Sequence, residues 1–93
     1  MPPLSLEEAQ SRLVGLSGWK IETGELVKTF TFKDFVASLR FVNQVGELAE
    51  KAGHHPDIDI RYNRVRLALS THDAGGLTQK DFDLAAQAQR LAD

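Results

Sequence analysis

Residues 57–69, DIDIRYNRVRLAL, set apolar against polar side chains with a period of two. Ile58, Ile60 and Tyr62 share one side; past Asn63, so do Val65, Leu67 and Leu69. A strand sends successive side chains to opposite faces, so a run of this kind buries one face and leaves the other wet. Asn63 tolerates left-handed backbone and marks the turn. The run is therefore a β-hairpin covered on one side, the arrangement that antiparallel sheets allow. A similar unit precedes it. Trp19 and Ile21 alternate with Lys20 and Glu22, Thr23-Gly24-Glu25 turns the chain, and Leu26, Phe30 and Phe32 return on one side.

Three segments with helical spacing surround the hairpins. Ser5-Leu6-Glu7-Glu8 is a capping-box pattern, followed by Ala9, Leu13 and Leu16 and ended by Gly15 and Gly18. Thr31-Phe32-Lys33-Asp34 repeats the pattern and opens a helix to about Ala52. Thr78-Gln79-Lys80-Asp81 opens the last helix, which carries Phe82, Leu84, Ala85, Ala88 and Leu91. The expected fold is α+β, in the order α-β-β-α-β-β-α: a four-stranded antiparallel sheet with three helices on one face. At 93 residues, the chain is expected to form a single domain over 1–93.

The middle helix carries more apolar surface than one core contact needs. Phe35, Leu39, Val42, Gly46 and Ala49 form one stripe, and Phe41, Val45, Leu48 and Ala52 a second beside it. Either the helix is deeply buried in its own monomer or the second stripe meets another subunit. A chain this short has few elements to cover both, which favours the interface.

Composition excludes several classes. The net charge of −2 leaves no basic footprint for direct nucleic-acid binding and no polybasic membrane patch. The absence of cysteine removes disulfides and thiolate metal sites. No apolar run approaches the roughly 20 residues of a membrane span, and the N-terminus lacks a signal-like core. The protein reads as cytoplasmic.

All three histidines crowd into one stretch: His54 and His55 in GHHPD, and His72 in STHD. Folding the second hairpin about Asn63 sets His54 opposite His72, and facing strand residues lie about 4.5–5.5 Å apart. Gly53 stops the long helix and Pro56 holds His55 extended. Glu50, one helical turn before His54, can aim its carboxylate at the cluster. Imidazole, with an ordinary pKa of about 6.5, gives or takes a proton near neutrality, so such a cluster offers an acid and a base together. A zinc site is the rival reading, but adjacent histidines in an extended chain point to opposite faces, which makes shared ligation awkward. Asp81 has a structural explanation as the last position of a capping box, Trp19 as core, and Arg61, Arg64 and Arg66 as a solvated strand face.

Glu50, His54-His55-Pro56, Tyr62, His72 and Asp81, together with GW at 18–19, FTFKDF at 30–35, YNRV at 62–65 and LSTHDAGGLT at 69–78, resemble the pterin-4a-carbinolamine dehydratase family. The similarity runs from about Gly18 to the C-terminus. It implies dehydration of a 4a-hydroxytetrahydropterin to quinonoid dihydropterin, supporting tetrahydropterin recycling, with no cofactor and no metal. By position it implies His54 and His72 as the acid/base pair and His55 as the residue that orients the pterin. Glu50 would support the histidines, and Pro56, Thr71, Asp73 and Ala74 would line the pterin site, largely through backbone groups. The family further implies a homodimer or homotetramer. In some members it implies a second role, stabilising the dimer of a transcription factor, so a pterin-binding or oligomerisation module without turnover is the alternative.

Overall fold

The computed structural model describes residues 2–93. Its elements are α1 (Leu6–Arg12), β1 (Lys20–Glu22), β2 (Glu25–Thr31), α2 (Phe35–Ala52), β3 (Asp57–Arg61), β4 (Arg64–Leu69), a 3₁₀ turn (His72–Ala74) and α3 (Gln79–Ala92). This is the expected order. The strands make one antiparallel sheet, β1-β2-β4-β3, so each hairpin supplies an edge and β2 meets β4 in the middle. Leu26, Phe30, Val65, Leu67 and Leu69 pack beneath Ala9 of α1, Phe41, Val45 and Ala49 of α2, and Phe82, Ala85 and Ala88 of α3. Trp19 belongs to this core. Its ring meets Phe30 edge-on at 5.7 Å, and its indole N–H donates to Gln89 Oε1 at 3.1 Å. On the far face Arg61 pairs with Asp59 at 3.1 Å and Arg66 with Glu22 at 3.7 Å, all largely in water.

Local details depart from the sequence reading where the sheet or a turn takes precedence. α1 ends at Arg12 rather than near Gly15, because Leu13 and Val14 close tight turns onto Gln10 and Ser11. Asp34 is itself the cap of α2, accepting from the Ala37 amide at 2.8 Å. Thr31 cannot play that part, since it is still paired with Arg64 in the sheet. In the second hairpin Arg61 faces Arg64, so the turn has two residues and the register lies one step from a fold about Asn63. Tyr62, at φ 52°, takes the left-handed position. Asn63 is held instead by Phe32: its side-chain amide donates to Phe32 O at 3.0 Å, and its carbonyl accepts from the Phe32 amide at 2.8 Å.

The buried face of α2 draws on both expected stripes. Phe41, Val45 and Ala49 enter the core, with Ser38 beside them donating its hydroxyl to Asp34 O. The surplus apolar surface lies at the start of the helix, where Phe35 is 44%, Val36 59% and Leu39 38% exposed.

Gly53 ends α2 at φ 62°. An added Cβ there meets nothing within 4 Å, so a Gly53→Ala variant bears backbone strain and no clash. It is expected to lose about 1 kcal/mol in a denaturant titration, without loss of fold.

At the N-terminus, backbone and side-chain hydrogen bonds from Ser5 hold the Glu8 carboxyl below its ordinary value. The first turn of α1 therefore keeps this support above the ordinary carboxylate pKa, and loses it as pH falls through the lowered one.

Candidate active site

Two chain reversals build the site. At the end of α2 the His54 amide donates to Ala49 O at 3.1 Å and the Gly53 amide to Glu50 O at 3.3 Å, a Schellman turn completed by the left-handed glycine. It delivers His54 to the first turn of α3, and Pro56 then passes the chain into β3. The second reversal follows β4. Thr71 bridges to Gly76, the amides of Ala74 and Gly75 both donate to Thr71 O at 3.0 Å, and the 3₁₀ turn presents His72 and Asp73 outward. Between the reversals lies an open cleft of about 220 Å³, with His54, His55, Thr71, His72 and Asp73 around it and Ser70 and Lys80 completing the rim.

The histidines therefore meet, but not as facing residues of a ladder. β3 begins at Asp57 and β4 ends at Leu69, so all three lie beyond the paired strands. His54 and His55 diverge, as adjacent residues of an extended segment do. His55 turns to Glu50, and both groups are well exposed, so this pair adds little stability. His54 turns inward, 11% exposed, with Nε2 2.5 Å from Asp81 Oδ1.

Asp81 is fully buried, and its second oxygen accepts twice: from the Thr71 hydroxyl at 2.8 Å and from the Thr78 amide at 2.9 Å. The Thr78 hydroxyl lies 2.8 Å from that of Thr71. With the Thr71 hydroxyl and the Thr78 amide donating to Oδ2, Oδ1 is the oxygen left to accept from His54. An Nε2–H donating to it leaves Nδ1 as the ring nitrogen able to exchange a proton. His72 stands differently: exposed on its turn, with no hydrogen-bond partner for its ring among the described residues.

Of the other expected residues, Thr71 and Asp73 line the cleft. Thr71 points its hydroxyl away from it, into the Asp81 network, so its side chain positions rather than contacts a guest. Glu50 acts at one remove, through His55. Pro56 and Ala74 are half-buried beside the cleft and not on its wall. The sequence reading missed Lys80 and the pairing of Asp81 with His54. The capping box that explained Asp81 uses one of its oxygens, and nothing local reveals what the other faces.

A larger hollow, about 560 Å³, lies between α2 and α3 against Leu48, Lys51, Gln87, Arg90 and Leu91. It offers no imidazole and no carboxylate, so the smaller cleft is the one equipped for proton transfer.

Residues 2–91 match the model of the family described as pterin 4 alpha carbinolamine dehydratase. A protein of Acidobacterium capsulatum, provisionally named a pterin-4-alpha-carbinolamine dehydratase, is 58% identical over 91 residues, covering 98% of this chain and 99% of its own. Among solved structures, a transcriptional coactivator/pterin dehydratase from Brucella melitensis superposes with a TM-score of 0.94 at 33% identity, over 98% of this chain and 99% of the other. A pterin dehydratase-like protein described as a RuBisCO assembly factor of the alpha-carboxysome shares the fold, with a TM-score of 0.66 at 24% identity over 80% of this chain and 86% of the other. With the matched segment spanning nearly its whole length, the chain belongs to the pterin 4 alpha carbinolamine dehydratase family.

Proposed function

We propose that the protein dehydrates 4a-hydroxytetrahydropterin, of which the tetrahydrobiopterin adduct is the type, at the histidine cleft. The observation that carries this reading is the meeting of His54, His55 and His72 around one hollow, with His54 oriented by a buried carboxylate. The reaction breaks the C4a–O bond, releases the hydroxyl as water with one added proton, and removes the N5 proton as the C4a=N5 bond forms. One group must give a proton and another must take one. His54, through Nδ1, and His72 are the acid/base pair. His55 orients the flat heterocycle, with Glu50 holding its ring, and Asp73 and the backbone about Thr71 complete the wall. In a cell this activity would deliver quinonoid dihydropterin to a reductase, which would regenerate tetrahydropterin.

The test is the decay of the 4a-hydroxy adduct, followed by absorbance. Substoichiometric protein is expected to accelerate it with repeated turnover. An unchanged decay rate at protein concentrations that bind pterin would instead favour a binding or oligomerisation module.

The apolar start of α2 and the open edge of β3, where Ile58 is 37% exposed, support assembly into a dimer or tetramer. Sedimentation is expected to give about two or four times the chain mass, and Leu39→Glu to shift it toward monomer. A parent that sediments as a monomer at micromolar concentration would contradict the assembly.

A further inference from the structure

The far face of the sheet, turned away from the helices, carries charge in a fixed pattern. Thr29, Arg66 and Asp59 stand in one row across β2, β4 and β3, and Thr31, Arg64 and Arg61 stand in the next row on that face. The row between them, Phe30, Val65 and Ile60, points the other way, with Phe30 and Val65 in the core. Three guanidiniums therefore share one small patch, at the turn end of the second hairpin and away from the histidines.

Such a patch repels itself. Arg61 and Arg64 face each other directly, and like charges so placed oppose the pairing of their strands. Asp59 offsets this in part, accepting from Arg61 Nε at 3.1 Å and from its terminal nitrogen at 3.5 Å. Glu22, from the side, reaches Arg66 only at 3.7 Å. Among the described residues, Arg64 has no ion pair, and neither its side chain nor the Thr29 hydroxyl has a hydrogen-bond partner. A face built only for solubility would intersperse the two signs. Here three cations gather on a chain whose net charge is −2.

A hollow of about 320 Å³ opens at this place, lined by Thr29, Asp59, Arg61, Arg64 and Arg66. Three guanidiniums against one carboxylate give its walls a charge of +2. Its size lies at the lower end of small-molecule sites, roughly 300–1,000 Å³.

We propose that this hollow binds the phosphate monoester of a small phosphorylated metabolite. The monoester carries close to two negative charges at neutral pH, which matches the walls. Arg64 and Arg66, two residues apart on one face of β4, have Cα atoms about 6.5 Å apart. Their planar forks can close on one phosphate from two sides, each with paired N–H donors. Thr29, in register with Arg66, adds a hydroxyl donor. Asp59 holds Arg61 at the rim and weakens the fit of singly charged anions. The site does not depend on the pterin reading of the histidine cleft.

Methyl phosphate, a dianionic monoester, and dimethyl phosphate, a monoanionic diester, are the probes. Each is titrated at fixed ionic strength while the Nε–H resonances of the six arginines are followed by NMR. Methyl phosphate is expected to shift Arg64 and Arg66 saturably with one dissociation constant and to leave Arg12, Arg40 and Arg90 unmoved. It should bind about tenfold more tightly than dimethyl phosphate. Arg64→Gln and Arg66→Gln should each weaken it about tenfold, the loss of one charge-assisted contact. Arg64→Lys, which keeps the charge without the fork, should restore only part of that loss. Both side chains lie outside the core, and in phosphate-free buffer Arg64→Gln should melt no lower than the parent, since it relieves the repulsion with Arg61.

Uniform shifts across all six arginines, equal affinities for the two esters, or binding that survives the Arg64→Gln/Arg66→Gln double variant would show general ionic attraction and overturn the site. A single-stranded oligonucleotide that displaces methyl phosphate at a lower phosphate concentration would assign the face to nucleic acid and overturn it equally.

Discussion

A His72→Ala variant is expected to dehydrate the 4a-hydroxy adduct about 10²–10⁴-fold more slowly than the parent at saturating substrate, and His54→Ala to lose a similar factor. Each imidazole has a proton to move; the third on the rim, His55, is turned to Glu50. The two substitutions differ in what else they do. His72 is exposed on the 3₁₀ turn and outside the core, so its truncation should leave unfolding curves unchanged. His54→Ala removes the partner of a buried carboxylate, so its kinetics are read beside a melt followed by the fluorescence of Trp19, the chain's single tryptophan. His55→Ala should fall mainly on KM, since an orienting contact binds ground state and transition state alike. Parent-like kcat in both His54→Ala and His72→Ala, with folding intact, would remove the proposed acid/base pair.

Asp81 is expected to separate stability from chemistry. Asp81→Ala leaves the Thr71 hydroxyl, the Thr78 amide and the His54 ring without their shared acceptor in a buried place. Two or three stranded donors correspond to about 3 kcal/mol, a large share of a small domain's stability, to be read as a fall in the denaturant midpoint. Asp81→Asn keeps the shape. Its carbonyl oxygen can take the two donors at Oδ2, which sends the NH₂ toward His54. Nε2 must then accept, and the imidazole proton moves to Nδ1, the nitrogen required for exchange. This variant should unfold near the parent midpoint yet lose about 10²-fold or more in kcat, as expected for an inverted tautomer. Ring ¹⁵N shifts of His54 report the tautomer directly. An Asp81→Asn protein with full activity would show that the pairing is structural only.

The hairpins and helices were legible because period-two and period-3.6 patterns are written in neighbouring residues. The gathering of the histidines was legible for a similar reason, since both reversals follow directly on the ends of the second hairpin. What failed was local competition. Asn63 looked like the left-handed residue, but its hydrogen bonds to Phe32 pass that conformation to Tyr62 and shift the register by one. Thr31 looked like a helix cap, but pairing with Arg64 keeps it in the sheet. The contact of Asp81 with His54 joins residues far apart in the chain, and neither a period nor a capping pattern encodes it. Lys80 escaped for the same reason: a lysine in the first turn of an exposed helix looks ordinary until α3 is docked beside α2.

Proton transfer at this cleft requires a guest lying among the imidazoles. With three histidines in the chain, their ring protons can be followed one by one by NMR while a non-reacting pterin is titrated in. Saturable shifts of His54 and His72 at one common dissociation constant are predicted. A pterin that binds while those rings stay unmoved, and perturbs instead the side chains of Leu48 and Leu91 between α2 and α3, would contradict it.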